Sequence, residues 1–143
     1  MGHSAGAHLI SLLATRPAWL NVQPQPWRAT IALDSAAYDV TQIMSAEHHK
    51  LYDPAFGTNP QDWQALSPSV QLKQKTVPFL AVCSTIRPDQ PCPQAQQFVV
   101  LAGRLGTDAS LLPVVLSHGE INQLLGEQNA YTAAVDDFIK RIL

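Results

Sequence analysis

Gly2-His3-Ser4-Ala5-Gly6-Ala7-His8-Leu9 follows directly on Met1, and the reading of this stretch decides the fold. A G-x-S-x-G pattern that runs straight into an apolar helix is a nucleophile elbow, a strained strand-to-helix turn that lifts a serine hydroxyl above the end of a sheet. Residues 5–15 supply that helix through Ala7, Leu9, Ile10, Leu12 and Leu13. It stops before Arg16-Pro17, because proline lacks the N–H that would continue it. The small residues at positions 2 and 6 read as relief from Cβ clashes inside the turn. The helix N-terminus faces developing negative charge, which makes the Ala5 amide a candidate oxyanion donor.

Outward from the elbow, strand and helix patterns alternate, as they do in an α/β domain with a parallel sheet. Ala29 to Leu33 reads as a buried strand ending at Asp34. Residues 41–75 carry His48, His49, Trp63 and scattered Pro and Asn, and read as a helical excursion. Val77 to Cys83 is a second strand, with Pro78 at its edge. Gln94 to Leu105 is an amphipathic helix stopped by Gly106. Leu111 to Leu116 is a third strand, weakened by Pro113, and a last helix spaces Tyr131, Val135, Phe138, Ile139 and Ile142 on one face. About three parallel strands with flanking helices are expected, which is thin for a covered parallel sheet.

Composition excludes several classes. The chain has 143 residues, 46% apolar and 14% charged, with a net charge of −2. Such a chain is expected to fold as one domain over 1–143, and it offers no basic field for nucleic acid. The apolar stretch from Ala5 lacks a preceding Lys or Arg, and no run reaches the length of a membrane span. Cys83 and Cys92 lack metal-finger spacing. The adjacent His48 and His49 diverge around a helix and have no third ligand in view, so neither a metal nor a cofactor is expected.

A serine nucleophile needs a base beside it. His118, in Leu116-Ser117-His118-Gly119-Glu120, follows the third strand, and Gly119 is read as the residue that lets a loop bring the imidazole back over Ser4. The elbow string and the tail Ser117-His118-Gly119-Glu120-Ile121-Asn122 together resemble the α/β-hydrolase serine esterases and lipases, especially the kynurenine formamidase branch and its carboxylesterase relatives. The resemblance spans the chain but only the C-terminal half of that fold. It implies an N-terminally truncated domain: Met1 stands where a strand would end, the His-Gly-Gly part of the oxyanion hole is missing, and any targeting segment would lie upstream. It also implies a partial cap over residues 41–75, whose Tyr52, Phe56 and Trp63 either line an acyl pocket or pack the cap on the body.

The family places its acid a few residues beyond the penultimate strand. Here Arg87 occupies that register and Asp89 lies two residues on. Asp89 is the first choice as the residue that orients His118, Asp34 the second and Asp39 the third. Cys83 and Cys92 flank this loop, either as a disulfide that fixes Asp89 or as one buried and one loop thiol. The implied activity is hydrolysis of a carboxylic ester or related acyl bond on a small substrate, with arylformamide cleavage as the alternative. The competing expectation is a non-catalytic fragment that self-associates through an exposed edge at Ala29 to Leu33.

Overall fold

In the computed structural model, which describes residues 1–20 and 27–143, four parallel strands stand in the order β1 (Gly2–His3), β2 (Thr30–Leu33), β3 (Phe79–Ser84), β4 (Ala109–Val114). The connection through Pro24 and Pro26 lies outside the described residues. The additional strand is β1, missed by periodicity because two residues carry no pattern. Gly2 pairs with Ala32 and His3 with Leu33. The edge expected along Ala29 to Leu33 is therefore half covered, leaving Thr30 and Ile31 without β1 partners.

Side-chain alternation on β2 and β3 builds two cores. Ala32, Phe79, Ala81 and Cys83 face one side, with Ala7 and Ala14 of α1 (Ala5–Thr15) and Ala95, Phe98 and Ala102 of α6 (Pro91–Arg104). Ile31, Leu33, Leu80 and Val82 face the other, against Ile121 of α7 (His118–Gln123) and Tyr131, Val135 and Phe138 of α8 (Ala130–Ile142). Both faces being covered explains why these strands read as continuous apolar runs. Residues 41–75 form the expected helical excursion, as α2 (Val40–Met44), α3 (Tyr52–Phe56), α4 (Pro60–Ala65) and α5 (Pro68–Gln71).

Three boundaries differ from expectation for local reasons. Helix α6 begins three residues early, with Pro91 and Pro93 in its first turn, where a missing N–H costs nothing. Strand β4 begins at Ala109 because its pairing with Phe79 through Ser84 sets the register. His118 lies on a helix, not in a loop: Ser117 caps α7 and Glu120 reaches back to the Ser117 amide in a reciprocal capping box. Gly119 sits inside that first turn and is not among the glycines with positive φ, so no glycine-dependent turn delivers the imidazole.

Cys83 of β3 and Cys92 of α6 are joined by a disulfide, with Cα atoms 5.2 Å apart. It brackets residues 84–91. By the chain-entropy account so short a loop contributes about 2–3 kcal/mol.

Candidate active site

Each strand delivers one piece of chemistry at its carboxyl end, the edge where open parallel sheets bind ligands. Ser4 follows β1, Asp34 follows β2, Arg87 follows β3 and His118 follows β4. Ser4 and Asp34 are both non-glycine residues at positive φ, 56° and 58°. Backbone conformations of that kind cost on the order of 1–3 kcal/mol and persist where packing over-determines them. The Ser4 amide is tied to the Leu33 carbonyl at 3.0 Å, which holds the elbow on β2 while the exposed Ala5 opens α1.

The carboxylate that meets the histidine belongs to Asp34. His118 Nδ1 lies 2.6 Å from Asp34 Oδ2, and Arg87 Nη1 donates to the same oxygen at 2.7 Å. The backbone N–H of Ser84 donates to Oδ1 at 2.8 Å. Arg87 Nη1 also stands 3.2 Å from His118 Nδ1. A guanidinium only donates and an ionised carboxylate only accepts. We therefore assign the Nδ1 proton to the Asp34 bond, with the arginine and the imidazole as two donors converging on one oxygen. That tautomer leaves His118 Nε2 as a proton acceptor.

This geometry does not bring the first-choice acid to His118. Asp89 accepts from Arg87 Nε at 2.9 Å and from Nη2, and makes no hydrogen bond to His118. Arg87, only two residues away, captures it, while the turn at Asp34 aims the buried carboxylate along the rim to α7. Asp39 caps α2 by accepting from the Gln42 amide at 3.0 Å.

Burial pushes the Asp34 carboxyl upward, but the donors from His118, the Ser84 amide and Arg87 together outweigh it and hold it below the usual carboxylate range. A folded value below the unfolded one, about 3.9, means that ionised Asp34 stabilises the fold above that pH and the contribution disappears as pH falls through the folded value. Asp34→Asn is therefore expected to be less stable near neutrality yet flatter in acid. In thermal melts between about pH 5 and pH 2, the wild-type Tm should fall more steeply than the variant's; parallel slopes would contradict this assignment.

Ser4 and His118 share the rim without a hydrogen bond between them. The link runs through His3, whose Nε2 lies 2.8 Å from the His118 carbonyl and therefore donates to it. The two imidazole rings are 4.4 Å apart. His8, one turn beyond Ser4, donates from Nδ1 to the Ala37 carbonyl at 2.7 Å and so pins the loop after Asp34 to α1. Burial lowers its pKa against that bond.

The aromatic residues of the helical excursion divide. Tyr52 and Phe56 stack on each other at 5.7 Å, and Phe56 meets the His8 ring edge-on at 5.5 Å. Trp63 donates to the Gly57 carbonyl within the excursion itself. His48 pairs with Asp53 at 3.0 Å rather than with His49. A cavity of about 310 Å³ between β4 and α8 is lined by Leu80, Leu112, Phe138 and Arg141 and includes none of the rim residues.

No role for His3 or Arg87 was legible in the sequence, although Arg87 stands in the register of the expected acid. The signal for Arg87 was its place where the resemblance implies an acid, a basic residue in that register.

The architecture is part of an α/β-hydrolase fold. Esterase 2 of Thermogutta terrifontis, in its apo form, matches with a TM-score of 0.71 at 21% identity, over 99% of this chain and 54% of that one. The same esterase phosphoramylated by tabun matches equally well, with 53% of its chain covered. Pyrococcus horikoshii acylaminoacyl peptidase matches with a TM-score of 0.68 at 18% identity, over 99% of this chain and 23% of that one. This chain thus spans about half the length of the esterases it matches. No protein-family model matches the sequence, and no curated protein matches it significantly. Among the described residues no helix is long and apolar enough to cross a membrane.

Proposed function

We propose that this chain carries the reacting residues of a serine hydrolase that cleaves a carboxylic ester or related acyl bond. Ser4 Oγ attacks the carbonyl carbon, His118 Nε2 takes its proton and returns it to the leaving group, and Asp34 holds the Nδ1–H tautomer and steadies the imidazolium. The Ala5 amide donates to the oxyanion. The observation that carries the reading is the 2.6 Å bond between Asp34 and His118, on the rim that also presents a serine at positive φ heading a helix. The esterase and peptidase folds among its structural neighbours support the same class.

Esters are the proposed substrates. An arylformamide is the alternative, favoured by the string from Gly2 to Leu9. For the 143-residue chain by itself the proposed turnover is low. Ala5 provides one oxyanion donor, and loss of a second typically costs about 10²–10³ in kcat. Self-association is proposed at the β1 side, where Met1, Ile10, Leu13, Trp27 and Ala29 line an apolar groove beside Thr30, which has no β1 partner.

A fluorophosphonate probe tests the reading, since it needs an activated serine rather than full turnover. The wild-type chain is expected to label at Ser4, as mapped by peptide mass spectrometry, and Ser4→Ala to lose the label. Labelling that persists in Ser4→Ala would overturn it. A phenyl ester compared with N-formylaniline then separates the two substrate classes.

A further inference from the structure

We propose that Arg87 is a positioning residue for the same reaction: clamped between Asp34 and Asp89, it fixes the carboxylate that orients His118, and Asp89 restores the negative charge that Arg87 removes. This rests on the hydrolase reading for its purpose, and on the geometry of four side chains for its substance. Asp34 has a fully buried side chain and Arg87 is 17% exposed, so their 2.7 Å contact is held largely out of solvent. The arginine's remaining donors, Nε and Nη2, are spent on Asp89. The disulfide between Cys83 and Cys92 closes the segment that carries both residues, and Ser84 Oγ ties its start to the Leu116 carbonyl at 2.6 Å, beside His118. The loop is therefore fastened at three places around one guanidinium.

Charge counting gives Asp89 a use. Asp34 and Arg87 alone form a neutral pair, and an imidazolium beside a neutral pair gains little from it. With Asp89 the cluster carries one negative charge while His118 is neutral, and none once the imidazole has taken the serine proton. The groups that meet His118 are His3 from β1, Asp34 after β2 and Arg87 after β3; Asp89 stands one step behind, on Arg87, and Glu120 lies on the same helix as His118. Glu120 is already engaged by the Ser117 amide. Tyr52 of the cap stands near Arg87 and Asp89 and, being neutral, leaves the count unchanged; burial and the neighbouring Asp89 raise its pKa.

The test is the protonation of the His118 ring, followed by NMR in the full chain, with the acid limb of kcat/KM on a phenyl ester as the second readout. Arg87→Met leaves two negative charges, and the midpoint is expected to rise by about one pH unit. Asp89→Asn leaves none, and the midpoint is expected to fall by roughly half a unit. The double variant has the native net charge, so its midpoint should return close to wild type. Its kcat should nevertheless stay about tenfold low, because the clamp on Asp34 is gone. Arg87→Lys, which keeps the charge without the fork, should leave the midpoint nearly in place and lower kcat.

Single variants that move the midpoint in the same direction, or a double variant that does not return, would overturn the proposal. Opposed midpoints in a chain that the fluorophosphonate does not label would instead establish the clamp and remove the hydrolase reading.

Discussion

Asp34→Asn is expected to lower kcat/KM for a phenyl ester by about four orders of magnitude, while Asp89→Asn keeps it within about tenfold of wild type. The contrast follows from which oxygen His118 touches. An amide in place of the Asp34 carboxylate keeps one carbonyl oxygen, which the Ser84 N–H already occupies at 2.8 Å in the native site. The amide nitrogen then faces Nδ1 and Arg87, both donors. The imidazole can relieve this clash by moving its proton to Nε2, the tautomer that cannot accept from Ser4. The serine stays in place and loses its base. Asp89, by contrast, touches only Arg87, at the partly exposed end of the cluster. Its loss leaves the Asp34–His118 bond standing. Circular dichroism on both variants separates a chemical loss from a folding one. The opposite ranking, with Asp89→Asn crippled and Asp34→Asn active, would restore the register argument drawn from the family.

That register argument shows where legibility ended. The elbow, its helix and the histidine following the last strand are local patterns, each written in a few adjacent residues, and the structure places them at one sheet edge. The acid is a relation between strands. Whether a carboxylate after β2 or one after β3 reaches α7 depends on the turn at Asp34, which has positive φ without a glycine to announce it. It depends also on Arg87, which takes Asp89 out of play. The helical start at His118 was legible in principle, since Ser117 and Glu120 have capping-box spacing, but a six-residue helix leaves little periodicity to read. Strand β1 was not legible from periodicity, because two residues show no alternation and only the pairing of Gly2 with Ala32 and of His3 with Leu33 defines it. The alternating faces of β2 and β3 were legible as buried runs, but their division between two cores needs the helices in place.

The elbow's two glycines, read alike in the sequence, are expected to separate sharply on substitution. A Cβ on Gly2 would lie 2.6 Å from the Gly6 carbonyl oxygen and 2.7 Å from its carbon, with the Ala7 nitrogen at 3.2 Å. Those atoms are backbone in the first turn of α1 and cannot swing aside as a side chain would. To admit the methyl, the helix must lift from β1, carrying Ser4 away from the rim and straining the bond from its amide to Leu33. Gly2→Ala is thus expected to cost about 2–4 kcal/mol by denaturant unfolding and to abolish fluorophosphonate labelling even in the fraction that stays folded. A Cβ on Gly6 meets nothing within 4 Å. Position 6 lies in the helix, where alanine is favoured over glycine by up to about 1 kcal/mol, so Gly6→Ala should hold or raise stability and keep the label. If Gly6→Ala were as damaging as Gly2→Ala, close approach of a substrate or of another polypeptide to position 6 would have to be the reason for its glycine. If neither substitution mattered, the elbow would be free to relax, and the positive φ at Ser4 would no longer mark a turn that packing enforces.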